Sequence, residues 1–263
     1  DEPERRIFST VASATTVNTA GDYIFRVYTS YSLKAPAFKK FFAKNGFKKL
    51  AIISENTDFA QGVRSALAQE LATGETTIVF DEVVPQGTKD FRSLLTRLKK
   101  TEFDVFLPNT QGDANLIEAI KQFRTLGFEQ QIVGTDVADS NNVGISAPIE
   151  SEGLKVLSMP GLDESNPEAK RFATIFRSKY LEPRQGMFFA ATGYDSVMVL
   201  AQTMKSTASV DGEKVKQALY GIKYSGLIGN ISFDMNGDVK GLAFAMKVFK
   251  SGAIEQSELV PLE

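Results

Sequence analysis

The sequence predicts an α/β protein built on a parallel sheet, and three observations predict it. Between Tyr23 and Thr135, strand-like stretches alternate with helical stretches of about ten to fifteen residues, the rhythm of repeated βαβ units with helices on both sheet faces. LAIIS (50–54) is uninterruptedly apolar, as expected of a strand buried on both faces. After Gly153 the rhythm changes to one strand followed by helices alone, which marks a second region.

In chain order, IFST (7–10) and YIFRVY (23–28) read as strands, and SLKAPAFKKFFAKNG (32–46) as a helix stopped at Gly46. A helix over 59–73, strand TIVFDEVV (77–84), helix DFRSLLTRLKK (90–100) and strand FDVFLP (103–108) follow. A helix over 113–126, strand QIVGT (131–135) and strand LKVLSMP (154–160), ended by Pro160, complete the regular part. Helices over 167–180, 188–206 and 211–221 come next. The chain closes with a hairpin in GNISFDMNGDVKG, its turn expected at Asn236-Gly237, and a last strand LAFAMKVFK (242–250). The late helices carry wide apolar faces, among them Phe172, Ile175, Phe176, Val197, Leu200 and Met204. Left in water, such faces forfeit several kcal/mol per helix at about 25 cal/mol per Å². Too little strand sequence remains nearby to cover them.

Composition narrows the chemistry. The 263 residues contain no Cys and no His, which removes His- and Cys-based nucleophile systems and His- or Cys-ligated metals. No cofactor or metal site is expected. A net charge of −2 gives no pull toward nucleic acid. No apolar run approaches the ~20 residues needed to cross a bilayer, and the opening DEPERRIF has no apolar core of a signal peptide. GTKDFR lacks the glycines and Ser/Thr of a phosphate loop, and DMNGD (234–238) lacks calcium-loop spacing.

Seven stretches in order resemble one family. These are SxxAS (Ser9 to Ser13), LAIISENTDFAQGV (50–63), GTKDFRSLLTRLKKTEFDVF (87–106), IKQFRTLGF (120–128), GLKVLSMP (153–160), GYDSVMVLA (193–201) and ISFDMNGDVKG (231–241). Together they resemble the type I periplasmic binding proteins of ABC transporters, in the branched-chain amino-acid (Leu/Ile/Val) branch. The resemblance implies two Rossmann-like lobes with parallel sheets joined by a three-strand hinge. It places lobe 1 at 1–27 and 160–241, as a remnant lacking about 100 residues, a typical lobe's worth, and a complete lobe 2 at 28–159 and 242–263. It further implies that a complementing N-terminal segment or a second copy of the chain covers the orphan helix faces.

The same resemblance implies the site. An amino acid is a zwitterion, so its receptor needs donors for the carboxylate and an acceptor for the ammonium. Ala12 and Ser13 match the carboxylate-binding turn, a backbone N–H and the Ser13 hydroxyl donating at ~1.5–3 kcal/mol per charged bond. A solvated Ser/Thr-rich turn is the alternative. Asp136 matches the acid that receives the amino group, and it follows a parallel strand, where ligands bind in open α/β sheets. Its alternative is the N-cap of a helix over 139–144. Phe59 matches an aromatic that closes over the ligand, with core packing as the alternative. Gln111 replaces an aromatic of the Leu/Ile/Val receptors, Asn109 and Thr110 share its loop, and Phe189 matches a third aromatic that core burial also explains. The implied function is the extracytoplasmic substrate-binding component of an ABC importer, periplasmic or extracellular. It would bind an amino acid or similar small carboxylate in the inter-lobe cleft and deliver it to the membrane permease. A ligand-sensing domain of the same fold is the alternative, and an enzyme working through Asp136 and Asp113 is a third.

Overall fold

The structure, a computed structural model, describes residues 7–10, 12–14, 17, 21, 23–183 and 186–260. The described residues divide into two compact units, one within 7–30 and 161–243 and one within 31–160 and 244–260.

The second unit is a seven-stranded sheet with helices. Its elements are α1 (Tyr31–Lys44), β3 (Lys49–Glu55), α2 (Asp58–Leu71), β4 (Thr77–Val84), α3 (Arg92–Leu98), β5 (Val105–Asn109), α4 (Asp113–Thr125) and β6 (Gln131–Gly134). A 3-10 turn at Asp136–Ala138 leads to α5 (Asn141–Ser146) and β7 (Lys155–Ser158), and β11 (Phe244–Lys250) and β12 (Ala253–Val260) return late in the chain. The strand order is β12-β11-β7-β6-β5-β3-β4. The five strands from β4 to β7 are parallel, and β11 runs antiparallel to both of its neighbours, β7 and β12. Stepping from β3 out to β4 and then back past it to β5 with right-handed crossovers puts successive helices on opposite faces. Leu50, Ala51, Ile52 and Ile53 are all buried, as a strand covered on both sides requires. Ala51 and Ile53 join Phe106, Phe91, Leu95, Leu116 and Phe123 in one core, while α2 packs on β3 and β5.

The first unit holds β1 (Ile7–Ser9), parallel to β2 (Ile24–Arg26), the helices α6 (Pro167–Lys179), α7 (Met187–Thr207) and α8 (Gly212–Gly221), and the antiparallel strands β8 (Tyr224–Gly226), β9 (Gly229–Phe233) and β10 (Val239–Lys240). Phe25 packs against Phe8, Tyr220 and Phe233. On the helices Val197 stays 65% exposed and Ile175 47%, so their apolar faces are only partly covered within the unit.

Three expectations change. The hairpin turn spans Asp234 to Asp238 rather than two residues, because the Asp234 carboxylate accepts the N–H groups of Asn236 and Asp238 and holds a wider loop. Gly237 has φ +74°, and a Cβ there would lie 2.1 Å from the Ile24 carbonyl oxygen, so this loop seats on β2 only through glycine. The last strand is β12, and a short strand β8 precedes the hairpin. The helix expected at 139–144 runs over 141–146 with Ser140 as its cap, and Thr135 caps the 3-10 turn, so Asp136 is not an N-cap.

Candidate functional site

In an open parallel sheet, ligands bind outside the carboxyl ends of the strands where the strand order reverses. In the second unit the reversal falls between β3 and β5, and Ser54 stands opposite Asn109 there. The Asn109 Nδ2 donates to the Ser54 hydroxyl at 2.9 Å and to the Ala60 carbonyl at 2.7 Å, which fixes the start of α2 against both strand ends. Its Oδ1 is buried with no hydrogen-bond partner among the described residues. Thr110, also buried, turns its hydroxyl onto the Gly112 carbonyl, whereas Gln111 is exposed.

Glu55 closes the last turn of β3. Its carboxylate, fully buried, accepts the Gly87 N–H (2.9 Å), the Gln111 N–H (2.6 Å) and the Asn115 Nδ2 (2.6 Å). The loops after β4 and β5 and the first turn of α4 are thereby tied at one carboxylate. Phe59 lies half-buried in the first turn of α2, which Thr57 caps, and meets the Tyr31 ring edge-on at 5.6 Å.

Asp136 follows β6 at this same edge and is 7% exposed. Its carboxylate is engaged on both oxygens from α1: the Lys34 ammonium donates to Oδ2 at 2.9 Å and the Tyr31 hydroxyl to Oδ1 at 3.3 Å. Lys34 is fully buried, with its ammonium 5.0 Å from the Tyr31 ring centre and 5.8 Å from that of Phe244. Burial and the neighbouring Asp136 carboxylate raise the Tyr31 hydroxyl well above the usual phenol range, so it remains a donor. One step on, Asp139 pairs with Lys247 at 2.6 Å. Burial raises the Asp139 carboxyl, Lys247 working against the rise.

In the first unit, Ser13 is buried in a turn braced by Arg26. The Arg26 guanidinium, fully buried and paired with Asp238, donates through Nη1 to the carbonyls of Ala14 (2.8 Å) and Ala12 (3.3 Å). The Ala12 N–H, expected to serve a carboxylate, donates to the Ser9 hydroxyl at 3.1 Å. Phe189, in the first turn of α7, packs against Tyr28 at 5.7 Å. A groove of about 410 Å³ on this unit, lined by Phe172, Phe176, Tyr180 and Tyr194, contains none of the expected site residues.

Phe59, Asn109, Thr110, Gln111 and Asp136 thus share the carboxyl edge of one sheet, while Ala12, Ser13 and Phe189 belong to the other unit. Sequence reasoning missed Glu55, Tyr31 and Lys34. Lys34 did carry a signal: it stands on the helical face of Tyr31, Phe38 and Phe42, where a solvated lysine has no place. Among the described residues no group of three Asp, Glu, His or Cys side chains could hold a metal ion, and no helix is long and apolar enough to cross a membrane.

Comparison with known proteins gives a consistent result. The profile of a family described as periplasmic binding protein matches residues 3–253. The leucine-, isoleucine-, valine-, threonine- and alanine-binding protein of Pseudomonas aeruginosa is 24% identical over 225 residues, which are 85% of this chain and 59% of that protein. A crystal structure of a leucine-binding protein from Thermotoga maritima superposes with a TM-score of 0.85 at 23% identity, covering 97% of this chain and 73% of that one. An ABC-transporter solute-binding protein from R. palustris in complex with 4-hydroxybenzoate gives 0.84 at 16% identity, covering 97% and 71%. The chain spans less than two thirds of the curated relatives it matches.

Proposed function

The chain belongs to the periplasmic binding protein family, and from that premise we propose that it binds an amino acid, branched-chain or related, or a similar small carboxylate. It then delivers the ligand to the membrane permease of an ABC importer, from the periplasmic or extracellular side, and catalyses no reaction. The observation that carries this is the gathering of Phe59, Asn109, Thr110, Tyr31 and Asp136 at the carboxyl edge of a sheet whose order reverses beside them. In this reading Phe59 supplies an apolar wall, the Asn109–Gln111 loop supplies polar contacts, and Ser13 donates to the ligand carboxylate. The names of the relatives agree, each being that of a binding protein.

The test is thermal unfolding against a panel of amino acids and small aliphatic and aromatic carboxylates. A true ligand at 100 times its Kd adds about 2.7 kcal/mol, which raises Tm by roughly 5–10 °C for a protein of this size. A panel with no compound shifting Tm by more than 1 °C would remove the receptor reading.

The exposed apolar side chains of α6 and α7, Val197 and Ile175 among them, favour one addition: further polypeptide, either a complementing N-terminal segment or a second copy, covers these faces. Native mass spectrometry separates the cases, a bare monomer counting against both.

A further inference from the structure

We infer that the ligand of this site is a carboxylate without an α-ammonium group, because Lys34 already supplies the cation that Asp136 would otherwise draw from a ligand. The inference rests on the receptor reading above and narrows it. An acid that receives a ligand's ammonium must offer at least one oxygen with no internal donor on it. Asp136 offers neither: Oδ2 holds the Lys34 ammonium at 2.9 Å and Oδ1 the Tyr31 hydroxyl at 3.3 Å. Lys34 cannot step aside for a competitor, since it is fully buried and its ammonium lies against the rings of Tyr31 and Phe244. A second ammonium at the same carboxylate would stand within about 6 Å of it, close enough for like charges to disfavour both.

The other acids at this edge are engaged within the fold or lie in solvent. Glu55 is saturated by the Gly87, Gln111 and Asn115 donors. Asp139 is paired with Lys247, and Asp113, in the first turn of α4 where the helix end offsets part of its charge, accepts the Ser140 hydroxyl and the Asn142 amide on Oδ2. Asp58 is exposed, where water screens whatever attraction it exerts. The Lys34 pair therefore takes from the edge the acceptor expected for a ligand's ammonium, while the N-terminal ends of α2 and α4 open toward it and favour an anion.

Isothermal titration calorimetry of the protein with matched pairs tests this: leucine against 4-methylpentanoate, and phenylalanine against 3-phenylpropanoate, each pair differing only in the α-amino group. The member without the amino group is expected to bind at least tenfold tighter in one pair or both. An amino acid binding as tightly as its partner, or more tightly, overturns the inference and leaves the receptor reading standing. If neither pair binds and the wider panel shifts no Tm, the receptor reading fails and the inference fails with it. The double variant Lys34→Gln/Asp136→Asn, which leaves no buried charge unpaired, assigns the effect. The preference should shrink to less than threefold, and an unchanged preference in a folded double variant overturns the role given to Lys34.

Discussion

Lys34 shows how much a single position can hold that a pattern reveals only by half. Its spacing along α1 with Tyr31, Phe38 and Phe42 marks it as a core residue, but the reason a lysine is tolerated there is a carboxylate 102 positions away. No local rule reaches that far. The place of Asp136 after a parallel strand was legible; its occupied oxygens were not, because they depend on which helix the fold lays across that strand end. The stability consequence is direct. Lys34→Met leaves a buried carboxylate without its cation and should cost about 3–5 kcal/mol, read as a lowered midpoint in urea unfolding. Adding Asp136→Asn should restore most of the loss, because the double change removes the unpaired charge. A single variant within 1 kcal/mol of the parent would show that the pair contributes little.

Secondary structure was readable where periodicity and burial agree and was lost where they part. TIVFDEVV was expected over 77–84 and forms β4 over those residues. AIEQSELV was passed over because β12 is a sheet edge: its side chains, half of them polar and none buried, give no continuous apolar signal, and pairing with β11 alone makes it a strand. The missed cue was Ser251-Gly252, both with positive φ (51° and 77°), the two-residue hairpin turn joining Lys250 to Ala253. That turn also explains a glycine in a helix. A Cβ on Gly144 of α5 would lie 1.9 Å from the Gly252 carbonyl oxygen, so Gly144→Ala must push the helix and the hairpin apart, at about 1–3 kcal/mol. Gly193→Ala in α7 meets nothing within 4 Å and should instead stabilise by about 0.5–1 kcal/mol through helix propensity. Thermal unfolding of the two variants should therefore move in opposite directions, and a shared direction would contradict the packing described.

Across the whole molecule, the two units differ in how completely each buries its own elements. The second has one seven-stranded sheet with a continuous core, and the first has two small sheets and helices with exposed apolar side chains. The sequence made the shortage of strands around the late helices visible, since apolar faces and strands can be counted without coordinates. It gave no access to β8, whose three residues carry too little pattern. Native-state hydrogen exchange should find β3, β5 and β11 protected to the free energy of global unfolding. Amides of β1, β2 and α6 should exchange through cheaper local openings; equal protection in both units would refute that ordering. The Arg26 brace adds a constraint of a different kind. It fastens the carbonyls on either side of Ser13 to an acid that lies 212 positions downstream. The turn that carries Ser13 therefore takes its shape only once a partner from far along the sequence has been brought back to it. Asp238→Asn leaves that buried guanidinium without its counter-charge, however completely the larger sheet has assembled.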